Sequence, residues 1–350
     1  MALTRRQLSG GLLASTLLWN YPAYAHEQYS KPSARIEQSS SKTKAENVKY
    51  QNLKNKVAYI RAPNVSGDTL EEKIVRHVAD LKKSGKIAYD ENVGFLVYDF
   101  KANERLVSLY TDAQMQAASM IKPYVALAYL HTVAQEKNID PFIMGHLRKM
   151  LQESDNVSTN FIMDKVEVDG IKGPEAIQSI LLNNYKDTLK QASIIDYIPL
   201  TPKEKESAKE QGLTVSEGES YYSNLSSVND YQGFLDALWH NHLPHSDKLK
   251  ELMSEARWNR VLSRILGKPK KTILYNKTGT TARVCGDISI VEARDKDDNI
   301  YPYSLIAIIE KKNRVNGEEA YHKWARSRAD VIRELSVLAH GYMKLRYNLP

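Results

Sequence analysis

The sequence predicts an α/β fold of the α+β kind: an antiparallel sheet built from both chain ends, flanked by helices, with an all-helical subdomain inserted at about residues 115–268. Three observations carry this. Strand-like segments cluster near the two ends of the chain, and a long helically patterned block separates them. Short polar turns join neighbouring strands, which favours antiparallel pairing.

The elements follow in order. Residues 70–83 carry apolar side chains at 70, 74, 75, 78 and 81, a helical spacing. Residues 93–100 are rich in β-branched and aromatic types and read as a strand. A turn at 101–104 leads to a returning strand at 105–110. From 118 to 184 the pattern is helical, broken near Asp140-Pro141 and at 170–173. Residues 186–223 read as polar and irregular, and 231–266 as helical again. Strands are expected at 273–275, 285–293 and 303–310, and a closing helix at 322–340.

The N-terminus reads differently. Arg5-Arg6 precedes a short apolar run at 10–18 and a small-x-small site at Ala23-Tyr24-Ala25. Residues 1–25 are therefore expected to be a signal peptide of the twin-arginine kind, and 26–60 a flexible polar leader. The domain proper is expected over 61–350, in the periplasm or secreted. Lys and Arg outnumber Asp and Glu by 49 to 42, for a net charge of +7. The excess is spread along the chain, without the clustered basic module that nucleic-acid binding needs. No later stretch is long and apolar enough to span a bilayer. Cys285 is the only cysteine, which rules out an internal disulfide and a multi-cysteine metal site. The histidines show no paired metal-binding spacing; His240, His242 and His245 read as a helix end. No cofactor or metal is expected.

Three short motifs carry chemistry. Ser119-Met120-Ile121-Lys122 opens a helix, Ser154-Asp155-Asn156 lies between helices, and Lys277-Thr278-Gly279 follows a strand. Each alone is weak: Ser39 to Lys42 also fits the first pattern, and Lys83-Ser84-Gly85 fits the third. Only the trio combines order with context. A serine hydroxyl needs a base, and positions i and i+3 share a helix face, so Lys122 can reach Ser119. Burial and positive potential favour the neutral amine such a base requires. Ser154 is the candidate proton relay, and Asn156 a ligand for a substrate amide. Lys277, Thr278, Gly279 and Thr280 form a candidate carboxylate site, with Arg283 as a further contact. The N–H groups of Ser119 and Thr280 are candidates for an oxyanion hole.

With these residues the chain resembles the class A β-lactamase and penicillin-binding protein family from about residue 93 to 338. The stretch 116–129 and the run 154–160 are also family-like. The resemblance implies an acyl-serine intermediate with a β-lactam or a peptidoglycan stem peptide. It leaves the oligomeric state open. Two departures stand out. The family's Glu-x-x-Leu-Asn loop motif, whose glutamate activates the deacylating water, is missing. The corresponding stretch, about 185–202, has only Asp187 and Asp196 as acids, so Asp196 is the candidate substitute and slow deacylation is expected. The Lys122-to-Ser154 interval is also short, which predicts a more open cleft. Three functions compete: a slow acyl-serine hydrolase or peptidase, an efficient β-lactamase, and a penicillin-binding sensor without turnover.

Overall fold

The computed structural model describes residues 69–136, 138–261 and 272–350. The signal and leader expected over 1–60 lie outside these residues.

Five antiparallel strands form the sheet, in the order β2-β1-β9-β8-β7: β1 (Glu91–Asp99), β2 (Glu104–Leu109), β7 (Ile273–Thr280), β8 (Val284–Arg294) and β9 (Ile300–Lys311). Both chain ends contribute, as the sequence predicts. Alternation splits the strand side chains between two cores. On β8, Val284, Ile288 and Ile290 face one core, and Cys285, Val291 and Ala293 the other. The second core is closed by α1 (Leu70–Lys83) and by α9 (Glu318–Tyr347). α1 begins at a capping box between Thr69 and Glu72 and buries Leu70, Ile74, Val78 and Leu81. Cys285 lies in this core with no exposed surface, as a small apolar side chain.

The inserted block covers the other face. It contains α2 (Lys122–Thr132), α3 (Pro141–Arg148), α4 (Asn156–Lys165), α5 (Gly173–Asn184), α6 (Pro202–Glu210), α7 (Val228–Trp239) and α8 (Ser246–Ser254). Two-stranded ribbons pair β3 (Met115–Gln116) with β6 (Leu225–Ser226), and β4 (Glu167–Val168) with β5 (Ile171–Lys172). α2 is buried along nearly its whole length, from Lys122 to Leu130. A helix apolar on all sides belongs inside a core, and here it is the axis of the subdomain.

Several expectations need correction. The helix expected over 231–266 is two helices, α7 and α8; residues 255–261 are not helical, and those from 262 on lie outside those described. Asn241 and His245 take left-handed backbones on either side of Pro244, which ends one helix and starts the next. The stretch 186–223 is not wholly irregular, because α6 lies within it. Its start is marked by Thr201-Pro202-Lys203-Glu204, a capping box with proline at the first helical position. The strand expected over 273–275 runs on to Thr280, so the Lys277 motif lies within β7 rather than after it. The ribbon strands are too short for a period-2 pattern to reveal.

Buried charge ties α9 to the sheet. Glu91 on β1 has no exposed surface; it accepts from Arg328 Nε at 2.7 Å, from Ala88 N at 2.7 Å and from the Trp324 indole. Removing one partner of such a pair leaves a charge buried without compensation. Arg328→Met is therefore expected to lower unfolding free energy by about 3–5 kcal/mol, read from urea denaturation followed by circular dichroism.

Candidate active site

The nucleophile motif is delivered by strain and close packing. β3 leads into Ala118, whose φ is 47°, a left-handed backbone for a non-glycine residue. A conformation of this kind costs roughly 1–3 kcal/mol and persists only where its surroundings impose it. A 3-10 turn follows over Ala118–Ile121 and passes straight into α2. In a 3-10 turn residues i and i+3 eclipse each other, which puts Ser119 and Lys122 on one side. The Lys122 N–H donates to the Ser119 carbonyl. β7 lies directly against this turn. A Cβ at Gly279 would come 2.9 Å from Met120 Cγ and 3.1 Å from Ala118 Cβ, so only glycine lets the strand approach this closely.

The second motif is also shaped by its backbone. A π-helical turn, Lys149–Glu153, ends at Ser154, whose φ is 64°. Asp155 then caps α4, accepting from Ser158 N at 2.6 Å. Asn156 becomes the first residue of that helix.

Four side chains meet between these elements. Lys122 has no exposed surface, and its Nζ donates to the Ser154 carbonyl at 2.6 Å, to Ser154 Oγ at 3.2 Å and to Asn156 Oδ1 at 2.8 Å. From the opposite wall Lys277 Nζ reaches Ser154 Oγ at 2.9 Å and the Thr278 carbonyl at 3.2 Å. One hydroxyl therefore lies between two amines. Burial pulls the Lys122 ammonium down to about 8, against the upward pull of Asp155 and Glu204. Burial, with the Lys122 cation next, pushes Lys277 well below the ordinary lysine range. Such amines can exchange a proton with a neighbouring hydroxyl near neutral pH.

Ser119, Asn156 and Thr280 line one cleft together with Ala118, Ile198, Ser220, Tyr221, Asn224 and Thr281. Its free space is only about 40 Å³. The shortened Lys122-to-Ser154 interval predicts a cleft more open on that side. Ser220 and Tyr221 line it from a different segment.

Other sequence-derived candidates lie elsewhere. Arg283 faces Glu310 at 3.7 Å, donates to the Lys311 carbonyl at 3.3 Å and stacks over the Tyr222 ring. Asp196 Oδ2 accepts from Glu219 N and Ser220 N, both at 3.2 Å, and from Ser223 Oγ at 3.3 Å. Neither lines the cleft.

Three residues outside the motifs bear on the site. Arg260 donates to Thr280 Oγ1 and to the Gly286 carbonyl, and is 9% exposed, so a second cation stands behind the carboxylate site. Glu204 Oε1 accepts from Asn156 Nδ2 at 2.9 Å, while its Oε2 holds Thr201 N at 2.7 Å. Ile198 lines the cleft, its backbone gripped on both sides by Asn160: Oδ1 accepts from Ile198 N at 2.9 Å, and Nδ2 donates to the Ile198 carbonyl at 2.7 Å. The capping box around Thr201 was a visible sign of Glu204. Arg260 has no local pattern. Among the described residues no group of three or more His, Cys, Asp or Glu side chains is arranged to hold a metal ion.

A profile described as the Beta-lactamase enzyme family matches residues 73–141 and 145–338, and the chain belongs to that family. No curated protein matches the sequence. Solved structures share the fold at low identity. A point mutant of PBP-A, an acyl-enzyme complex with penicillin G, is 17% identical over 75% of this chain and 94% of its own, with a TM-score of 0.51. A beta-lactamase from Sphaerobacter thermophilus is 14% identical over 78% and 97%, at 0.56. One from Chitinophaga pinensis is 16% identical over 76% and 97%, at 0.53. The architecture is therefore that of the β-lactamase and penicillin-binding superfamily.

The carboxylate of Glu204 is one of the charges that hold Lys122 protonated. Glu204→Gln removes that charge, so the Lys122 amine should lose its proton at lower pH. The alkaline rise in the rate of acylation by a fluorescent penicillin should move to lower pH in this variant, with circular dichroism unchanged.

Proposed function

We propose that the chain is an exported acyl-serine hydrolase acting on amides that carry a carboxylate, with β-lactams and peptidoglycan stem peptides as the substrate class. The observation that carries this reading is the placement of Ser154 Oγ within 3.2 Å of Lys122 Nζ and 2.9 Å of Lys277 Nζ, beside the cleft that Ser119 lines. Neutral Lys122 takes the proton of Ser119 as the hydroxyl attacks the carbonyl. Ser154 gives its hydroxyl proton to the departing nitrogen and takes back the one that Lys122 received from Ser119. The N–H groups of Ser119 and Thr280 receive the oxyanion, each worth roughly 2.7–4 kcal/mol in such sites. Lys277, Thr278 and Thr280, backed by Arg260, receive the substrate carboxylate, whose charge in turn favours protonated Lys277. The capture of PBP-A as a penicillin acyl-enzyme supports acylation on this fold.

Deacylation is the slower half. None of the residues lining the pocket beside Ser119 carries a carboxylate that could activate an attacking water. Export rests on the Arg5-Arg6 signal and the apolar run behind it. A second reading, efficient hydrolysis of β-lactams, is favoured by one observation: the Glu204 carboxylate lies one hydrogen bond from Asn156. In that reading Glu204, rather than Asp196, activates the water.

Intact mass after mixing with penicillin G separates the readings. A persistent adduct that disappears in Ser119→Ala supports slow turnover, and an adduct that decays within seconds while product accumulates supports the second reading. An adduct that survives Ser119→Ala contradicts both.

A further inference from the structure

The pocket beside Ser119, which does not include Lys277 or Thr278, is too small to enclose a drug-sized group. About 40 Å³ holds one or two waters, a water's share of liquid being roughly 30 Å³. Pockets for drug-sized ligands run to roughly 300–1,000 Å³. A bulky group that enters this pocket must therefore displace one of its walls.

Most walls are fixed by the fold. Ala118 and Ser119 are wedged against β7, which is paired along its length to β8. Asn156 is held by Lys122 and Glu204. Asn224 is tied by its carbonyl to Ala117 N, and by its side chain to Ile195 N and to both backbone groups of Asp196. Ile198 is gripped by Asn160.

The remaining wall is Ser220 and Tyr221, on the strap of residues 217–223. This segment has no helix or strand; it is tied by one long backbone bond, from Gly218 N–H to the Ile198 carbonyl at 3.5 Å, and by side-chain contacts. Asp196 Oδ2 gathers Glu219 N, Ser220 N and Ser223 Oγ. Gln116, three residues before the nucleophile, donates to the Tyr221 carbonyl at 2.6 Å. Arg283 stacks on Tyr222 at 5.6 Å.

We infer that the 217–223 strap is a steric gate that selects acyl donors by width, latched by Asp196 and Arg283. It rests on the acyl-serine reading above and adds what limits access to Ser119. Narrow donors, with a small group at the reacting carbonyl, pass with little displacement. A fused bicyclic β-lactam passes only when the latch releases. Asp196 and Arg283, which do not themselves line the cleft but hold residues that do, thus determine specificity by positioning the strap.

Ser119→Cys permits a test that needs no serine chemistry. The thiol is alkylated by iodoacetamide, a small probe, and by fluorescein maleimide, a wide one, and peptide mass spectrometry assigns the product to position 119 rather than to buried Cys285. Adding Asp196→Ala is expected to raise the ratio of wide-probe to small-probe rates at least tenfold. A ratio unchanged within twofold overturns the gate. If Asp196→Ala fails to fold, Arg283→Ala replaces it, with an expected rise of at least threefold and the same overturning result. In native-Ser119 chains, Asp196→Ala should speed labelling by a fluorescent penicillin more than acetylation by p-nitrophenyl acetate. If neither reagent acylates Ser119 in any variant, the acyl-serine reading fails, while the thiol ratio still decides whether the strap is a gate.

Discussion

Two buried lysines converging on one hydroxyl set the main demand on this structure. An ammonium taken out of water loses several kcal/mol of hydration unless it is paired or gives up its proton. Lys122 and Lys277 are both almost wholly buried, and the Lys122 cation adds to the strain on the Lys277 charge. The surroundings answer in part. Carbonyl and hydroxyl acceptors surround each amine, Asp155 and Glu204 pull Lys122 upward, and Asp287 pulls Lys277 upward. The compensation is incomplete, and that incompleteness leaves an amine able to act as a base.

The local backbone follows from the same demand. Ala118 and Ser154 both hold left-handed conformations, one just before Ser119 and one at the hydroxyl between the two lysines. Each stores strain that the flanking elements must offset. Gly279 lets β7 close on the nucleophile turn, and the antiparallel register places Lys277 two residues before it on the same face of the strand. The sheet is thus a rigid plate that holds one amine, α2 holds the other, and the head of α4 brings the hydroxyl between them. Around this rigid core the 217–223 strap is held by side-chain contacts and one long backbone bond, which separates the chemistry from access to it.

Much of this was legible in the sequence, and for physical reasons. The strands at both ends carry runs of apolar residues because both faces of the sheet are covered, and the helical block shows its period clearly. The three motifs were legible because their chemistry demands fixed residue types at short spacing. What escaped depends on contacts distant in the chain. Arg260 reaches Thr280 from a segment read as helical that lies beyond the end of α8, and Tyr221 reaches the cleft from a polar stretch read as irregular. Asp196 and Arg283 were singled out for their charge, but their partners are the strap, Glu310 and Tyr222. Glu204 lay two residues beyond the stretch searched for a base, although its capping box with Thr201 was readable.

The central claim is that burial outweighs the charged partners of Lys122 and brings its ammonium down from the ordinary lysine range. The direct test is a titration of the free protein with ¹³C-labelled lysine, following the Lys122 Cε resonance, assigned through Lys122→Arg. A midpoint about 8 agrees with the structure. A midpoint near 10.4, the ordinary value of a solvated lysine, would contradict it.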